Sequence, residues 1–308
     1  MSRRSLFLLA ATLVVLHFTI IVFMLSPLHG SRRTFYTSGY HHRYSMRGAP
    51  SVAWCKDLHF KPPGPVVALI SHPGSGNTWL RYLLQQVTGV MTGSIYMDYG
   101  LRTHGFPAEN VTDGTVLVVK THEAPPVDSD KFQAAVLLIR HPKDAILAEY
   151  NRLHKGHIGT APKSAFKRKS HEHRMTGIRL YVFLYSSDWF VSYQLTAWES
   201  LHELWLTRFP GRILVVLYET LVRDTGPSLQ RILDFLNHTV TKDDMSCALA
   251  NREGIYRRRK KLQDFDPFTA DMYQALDRAH GRVRDLVANY SRKHNLTQTR
   301  LENVAPLK

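Results

Sequence analysis

Four short stretches of this 308-residue chain carry residue types and spacings that could handle a phosphorylated ligand and a proton. The first is Ser71-His72-Pro73-Gly74-Ser75-Gly76-Asn77-Thr78-Trp79, which follows an apolar run and leads into a helical pattern. Glycines in such a turn let successive backbone N–H groups converge on an anion, and the helix N-terminus adds its positive end. Ser75 and Thr78 would add hydroxyl donors. No Gly-Lys-Ser/Thr closes the turn, so it is not a Walker A loop. The second stretch, Val119-Lys120-Thr121-His122-Glu123, offers an imidazole able to hold a proton near neutral pH. If that stretch is extended, Lys120 and His122 point to the same side. The third is Arg140, which ends an apolar run at a helix start; its guanidinium could grip a phosphate dianion or pair with Asp144. The fourth is the run Arg257-Arg258-Arg259-Lys260-Lys261, either a solvated basic patch or a contact to an anion.

These loops require strands before them and helices behind. Residues 66–70 form a short continuous apolar run of the kind buried in a parallel sheet. Similar runs at 116–119, 135–139 and 213–217 predict three further strands. Helical patterns occupy 78–87, 144–153, 195–207 and 227–236. Such alternation implies right-handed crossovers and an α/β fold of three layers, a parallel sheet covered by helices on both faces. One domain is expected over 66–296, followed by a tail over 297–308. Trp198 and Trp205, seven residues apart on one helical face, read as core, while Trp79 could be core or could stack on a base.

The surplus of 40 Lys and Arg over 25 Asp and Glu, +15 in all, fits an anionic partner or a solubilising surface and does not choose between them. The N-terminus narrows the choice. Residues 6–25 contain no charged side chain and are long enough to span a bilayer as a helix. The run ends in Ser26-Pro27-Leu28-His29, a poor cleavage context, so an uncleaved anchor over 6–28 is expected after a five-residue cytosolic tail. Arg3 and Arg4 are balanced by Arg32 and Arg33, which leaves the orientation undecided by charge. Residues 29–65, rich in Arg, Tyr, Ser, Gly and Pro, read as a stem. Four sequons, at Asn110, Asn237, Asn289 and Asn295, fit a glycosylated lumenal body. That placement argues against nucleic acid as the partner of the basic run. Cys55 and Cys247 could form one bridge or remain two buried thiols, and no ligand spacing points to a metal.

Pro73-Gly74-Ser75-Gly76-Asn77-Thr78-Trp79 resembles the 5′-phosphosulfate loop of sulfotransferases, whose pattern is Pro-Lys-Ser-Gly-x-Thr-Trp. Lys120-Thr121-His122 resembles that family's segment bearing the catalytic base, and Arg140-His141-Pro142-Lys143-Asp144 its 3′-phosphate motif. Leu217-Tyr218-Glu219 is similar to the strand end whose ring lies near adenine. Tyr256-Arg257-Arg258-Arg259, with Phe268-Thr269, is similar to the late loop that closes on the 3′-phosphate. Five segments in the family's order cover about 66–269. Ala148-Glu149-Tyr150-Asn151-Arg152 and the glycine at 74 bring the chain closest to the WSC-domain-containing (WSCD) sialate O-sulfotransferases, without their cysteine-rich modules.

That resemblance implies a Golgi type II enzyme. It would use 3′-phosphoadenosine 5′-phosphosulfate (PAPS) and no metal to sulfate a glycan hydroxyl, with sialic acid as one candidate acceptor. It implies His122 as base; donor contacts from Gly74, Ser75, Gly76, Asn77, Thr78, Trp79, Arg140, Tyr218, Arg257 and Arg258; and membrane anchoring. Two departures stand out: Gly74 replaces the usual loop lysine, and Ala148 replaces a serine that would touch the 3′-phosphate. Lys120 could replace the missing cation or reach solvent from a strand end. A pseudoenzyme that binds nucleotide or glycan without transfer is the alternative. An ATP-using kinase is disfavoured by the absent Gly-Lys-Ser/Thr and magnesium carboxylate.

Overall fold

The computed structural model describes residues 52–125, 129–162, 187–257 and 266–294. The expected anchor over 6–28, the tail over 297–308, Arg258 and Asn295 lie outside the described residues. Five strands form one sheet: β1 (Val67–Ile70), β2 (Gly93–Ser94), β3 (Val119–Thr121), β4 (Ala134–Ile139) and β5 (Arg212–Leu217). Their order is β2-β3-β1-β4-β5 and every neighbouring pair is parallel. The apolar runs foretold β1, β4 and β5 closely. The run at 116–119 is displaced, because β1 fixes the register: Ala68 lies opposite Val119 and Ile70 opposite Thr121. Val116, Leu117 and Val118 are buried just before the ladder begins. Two-residue β2 is too short to leave a periodic signal.

Helices cover both faces, as parallel crossovers require. They are α1 (Asn77–Thr88), α2 (Tyr99–Thr103), α3 (Pro142–Lys155), α4 (Ser187–Arg208), α5 (Tyr218–Arg223), α6 (Thr225–Phe235), α7 (Lys242–Ala250) and α8 (Ala270–Lys293). Period-two alternation divides the core. Ala68, Ile70, Ala135, Leu137, Ile213 and Val215 pack with Trp198 and Trp205 of α4 and with α8. Leu69, Val136, Leu138 and Val216 pack on the other face, with α1 and α6. Sequence reading missed α8, whose buried Met272, Leu276, Ala279, Val283, Val287 and Tyr290 lie three or four apart among charged neighbours. Its start is marked by Thr269, whose hydroxyl accepts the Met272 N–H.

Residues 52–65, which composition alone left in the stem, are tied to this body. The Gln86 side chain accepts the Cys55 N–H at 2.9 Å and donates to Ala53 O at 2.7 Å. Trp54 tilts against Tyr82, and His59 bridges to Val90. Cys55 and Cys247 form a disulfide, closing a separation of 192 residues onto α7. Among the described residues no helix is long and apolar enough to cross a membrane.

A loop this long makes the bridge a strong constraint on the unfolded chain. Replacing both cysteines by serine should lower unfolding free energy by about 2–5 kcal/mol. Urea denaturation of the oxidised protein against the double variant checks this.

Candidate functional site

Four of the segments singled out by sequence leave the C-terminal edge of the sheet: 71–76 after β1, His122 after β3, Arg140 after β4 and Tyr218 after β5; the run from Arg257 instead follows α7. In open α/β sheets that edge is where ligands bind.

Backbone sterics build the first loop. Gly74 and Gly76 adopt φ of +81° and +93°, a left-handed region that other residues rarely enter. A Cβ on Gly74 would lie 2.2 Å from Ala145 O and 2.7 Å from Glu149 N, both backbone atoms of α3. A Cβ on Gly76 would lie 2.5 Å from the Tyr218 ring. Gly76 caps α1 with no side chain over the helix end. Asn77 donates its amide to Leu69 O and Ser71 Oγ, each at 3.2 Å, and so ties the turn to β1. The Ser75 N–H bonds His72 O at 3.1 Å, while its buried hydroxyl has no protein partner. Thr78 is half-buried in the first turn of α1.

Arg140 closes one side. Its Nη1 donates to Gly74 O at 2.8 Å, and its guanidinium carbon stands 4.3 Å from the Tyr218 ring centroid. The buried Nε has no partner. Among the described residues Arg140 makes no ion pair, so Asp144 is not its counter-charge. Glu219, its pKa raised by burial, instead accepts the His141 N–H at 3.0 Å and fixes the α3 start. Trp79 is 2% exposed: its indole N–H donates to Arg252 O at 2.7 Å and its edge meets Tyr218. Arg257 stands 5.4 Å from the Trp79 ring centroid and pairs with Glu253. The structure thus gathers Gly74, Ser75, Gly76, Asn77, Arg140 and Tyr218, with Trp79 behind them and Arg257 over its ring.

His122 and Lys120 flank the loop on the β3 side. His122 Nδ1 lies 2.6 Å from Ser71 O, a geometry that puts the proton on Nδ1 and a lone pair on Nε2. Burial, then the Lys120 ammonium, holds its pKa well below 6.5. Lys120 is 7% exposed, and burial lowers its pKa also. It therefore does not reach solvent from the strand end. Sequence reading missed Tyr96, which contacts both residues and carries no motif of its own. It also missed the buried pair Arg81–Glu109, at 2.6 Å, which anchors α1 to the β2 side. Among the sequon asparagines, Asn110, Asn237 and Asn289 are exposed.

The sulfotransferase domain family matches residues 65–253. A WSCD family member of Aedes aegypti is 40% identical over 260 residues, 76% of this chain and 78% of that protein. The chain belongs to the WSCD family of sulfotransferases. A WSCD relative from Drosophila melanogaster is 47% identical over 207 residues, 67% of this chain and 61% of its own length. Thus the sulfotransferase described here matches less than two thirds of that relative. Among solved structures, a mouse sulfotransferase complexed with PAP aligns at TM-score 0.47 and 14% identity, over 77% of this chain and 91% of that one. Retinol dehydratase with androsterone and PAP aligns at TM-score 0.38 and 14% identity, over 76% and 82%.

The glycine at 74 is therefore a steric requirement of this sulfotransferase. Gly74→Lys, which restores the common loop lysine, should cost at least about 2 kcal/mol of stability and gain no activity. Thermal unfolding and a sulfate-transfer assay on the variant check both.

Proposed function

We propose that this sulfotransferase transfers the sulfuryl group of PAPS to a glycan hydroxyl. The observation that carries the reading is the glycine arch facing Arg140, which leaves the buried Ser75 Oγ and Arg140 Nε without protein partners. Buried polar groups in native proteins almost always find a partner, and a phosphate would supply it. The backbone of Gly74, Ser75, Gly76 and Asn77, with Thr78, would hold the 5′-phosphosulfate. Arg140, Arg257 and Arg258 would hold the 3′-phosphate, and Tyr218 the adenine side. Trp79, being core, supports Tyr218 from behind.

His122 Nε2 accepts the acceptor hydroxyl proton as the oxygen attacks sulfur. The bond from sulfur to the phosphate oxygen breaks, and its electron pair leaves with 3′-phosphoadenosine 5′-phosphate (PAP). Lys120, fixed beside His122, supplies the positive charge that a loop lysine provides elsewhere. The base works only when neutral. Because its pKa is depressed, loss of activity through His122 protonation sets in below pH 6.5, and mildly acidic conditions leave the base intact. The acceptor class, with sialic acid as one candidate, follows from the WSCD resemblance. A Golgi type II arrangement, anchored through 6–28, is supported by the Cys55–Cys247 disulfide and by exposed Asn110, Asn237 and Asn289.

Calorimetry of the purified protein tests the donor site. PAP should bind, ADP, which lacks the 3′-phosphate, should not, and Arg140→Ala should weaken PAP by roughly tenfold or more. Absent PAP binding, or equal binding of ADP, contradicts the reading.

A further inference from the structure

We infer that Tyr96 is a positioning residue for the transfer, one phenol that orients the His122 imidazole and holds the Lys120 ammonium beside it. The inference rests on the assignment of His122 and Lys120 made above. Tyr96 stands where β2 hands over to the next loop, just past Ile95, whose N–H donates to Lys120 O at 3.0 Å. That bond fixes Tyr96 against β3 at the level of the two site residues.

Three contacts converge on its side chain. The hydroxyl accepts the His122 backbone N–H at 3.0 Å and donates to Glu123 Oε1 at 3.2 Å. A phenol with one proton and two lone pairs can do both. The ring stacks on the His122 ring, with centroids 5.6 Å apart and planes inclined by 25°. The Lys120 ammonium lies 5.6 Å from the same ring centroid, within reach of a cation–π attraction. Glu123 is itself placed by its N–H, which bonds Thr121 Oγ1 at 3.0 Å, and by its carbonyl, which accepts from the Trp205 indole at 2.9 Å.

His122 is thereby held on two sides. Ser71 O fixes Nδ1 from the β1 side, and Tyr96 fixes the backbone and one ring face from the β2 side. Burial and then Glu123 push the Tyr96 pKa well above 10, so the phenol stays neutral and supplies orientation without charge. Prominent among the charged or titratable groups that bear on His122 are Lys120 of β3, Arg152 of α3 and His72 of the loop after β1. Tyr96 leaves that set unchanged and sets where the imidazole sits within it. Proximity effects are steep: a displacement of about 1 Å at a reacting group can cost 100-fold in rate.

The test uses Tyr96→Phe and Tyr96→Leu in the full chain, with His122→Ala as reference. Readouts are PAP affinity, the NMR titration of the His122 imidazole (identified by its loss in His122→Ala) and the turnover of PAPS with a sialylated serum glycoprotein. PAP affinity should stay unchanged in both variants. Tyr96→Phe should lower kcat about tenfold through the lost hydroxyl contacts, and Tyr96→Leu about 100-fold. In Tyr96→Leu water reaches the imidazole, so its titration should move up toward 6.5. The phenylalanine variant keeps the ring and guards against a leucine variant that fails to fold. An unmoved His122 titration in the leucine variant, or unchanged kcat in both variants, overturns the positioning role while PAP binding still upholds the donor site. A parent protein that binds no PAP overturns both together.

Discussion

The backbone of α3 packs directly against the loop after β1, leaving no space for a side chain at residue 74, and the rest of the site follows from that contact. Ala145 O and Glu149 N stand where a side chain on residue 74 would begin. Only glycine satisfies both this contact and a φ of +81°. The contact draws Arg140, one turn before, onto Gly74 O, and Arg140 in turn lies over Tyr218, whose ring excludes a Cβ from Gly76. Two glycines, one guanidinium and one phenol therefore form a single packed unit that cannot be altered piecemeal.

This unit has an electrostatic consequence. With no room for a loop lysine, the proposed transfer draws its positive charge from another element. Lys120 is the cation that β3 delivers there, buried, beside His122 and under the ring of Tyr96. The proposed chemistry therefore moves a charge from one strand end to its neighbour rather than dispensing with it. Burial lowers the pKa of both Lys120 and His122, which keeps the imidazole neutral and ready to accept a proton. The disulfide from Cys55 to Cys247 acts at the far side, joining the start of the body to α7 just before the segment that carries Arg257.

The α/β architecture was legible because buried parallel strands are continuous apolar runs, and residues 66–70, 135–139 and 213–217 stand out as such. The glycine turn, Lys120, His122 and Arg140 were legible from motif order. Helix α8 was not, because its apolar positions are spread singly among charged residues, a pattern visible only with helical spacing in mind. Tyr96 left no trace because its role comes from three-dimensional contact across β2 and β3. Nor could spacing decide between a bridge and two thiols at Cys55 and Cys247, since 192 residues separate them. The loss of lysine at 74, read in sequence as a doubt about chemistry, becomes in the structure a matter of available space.

The central claim is that Lys120 carries the charge that residue 74 cannot. Its most direct test is Lys120→Met, with PAP affinity and single-turnover consumption of PAPS measured on the same preparation. The account predicts PAP affinity close to that of the parent and turnover abolished. Turnover retained at the parental rate, with PAP still bound, would contradict it.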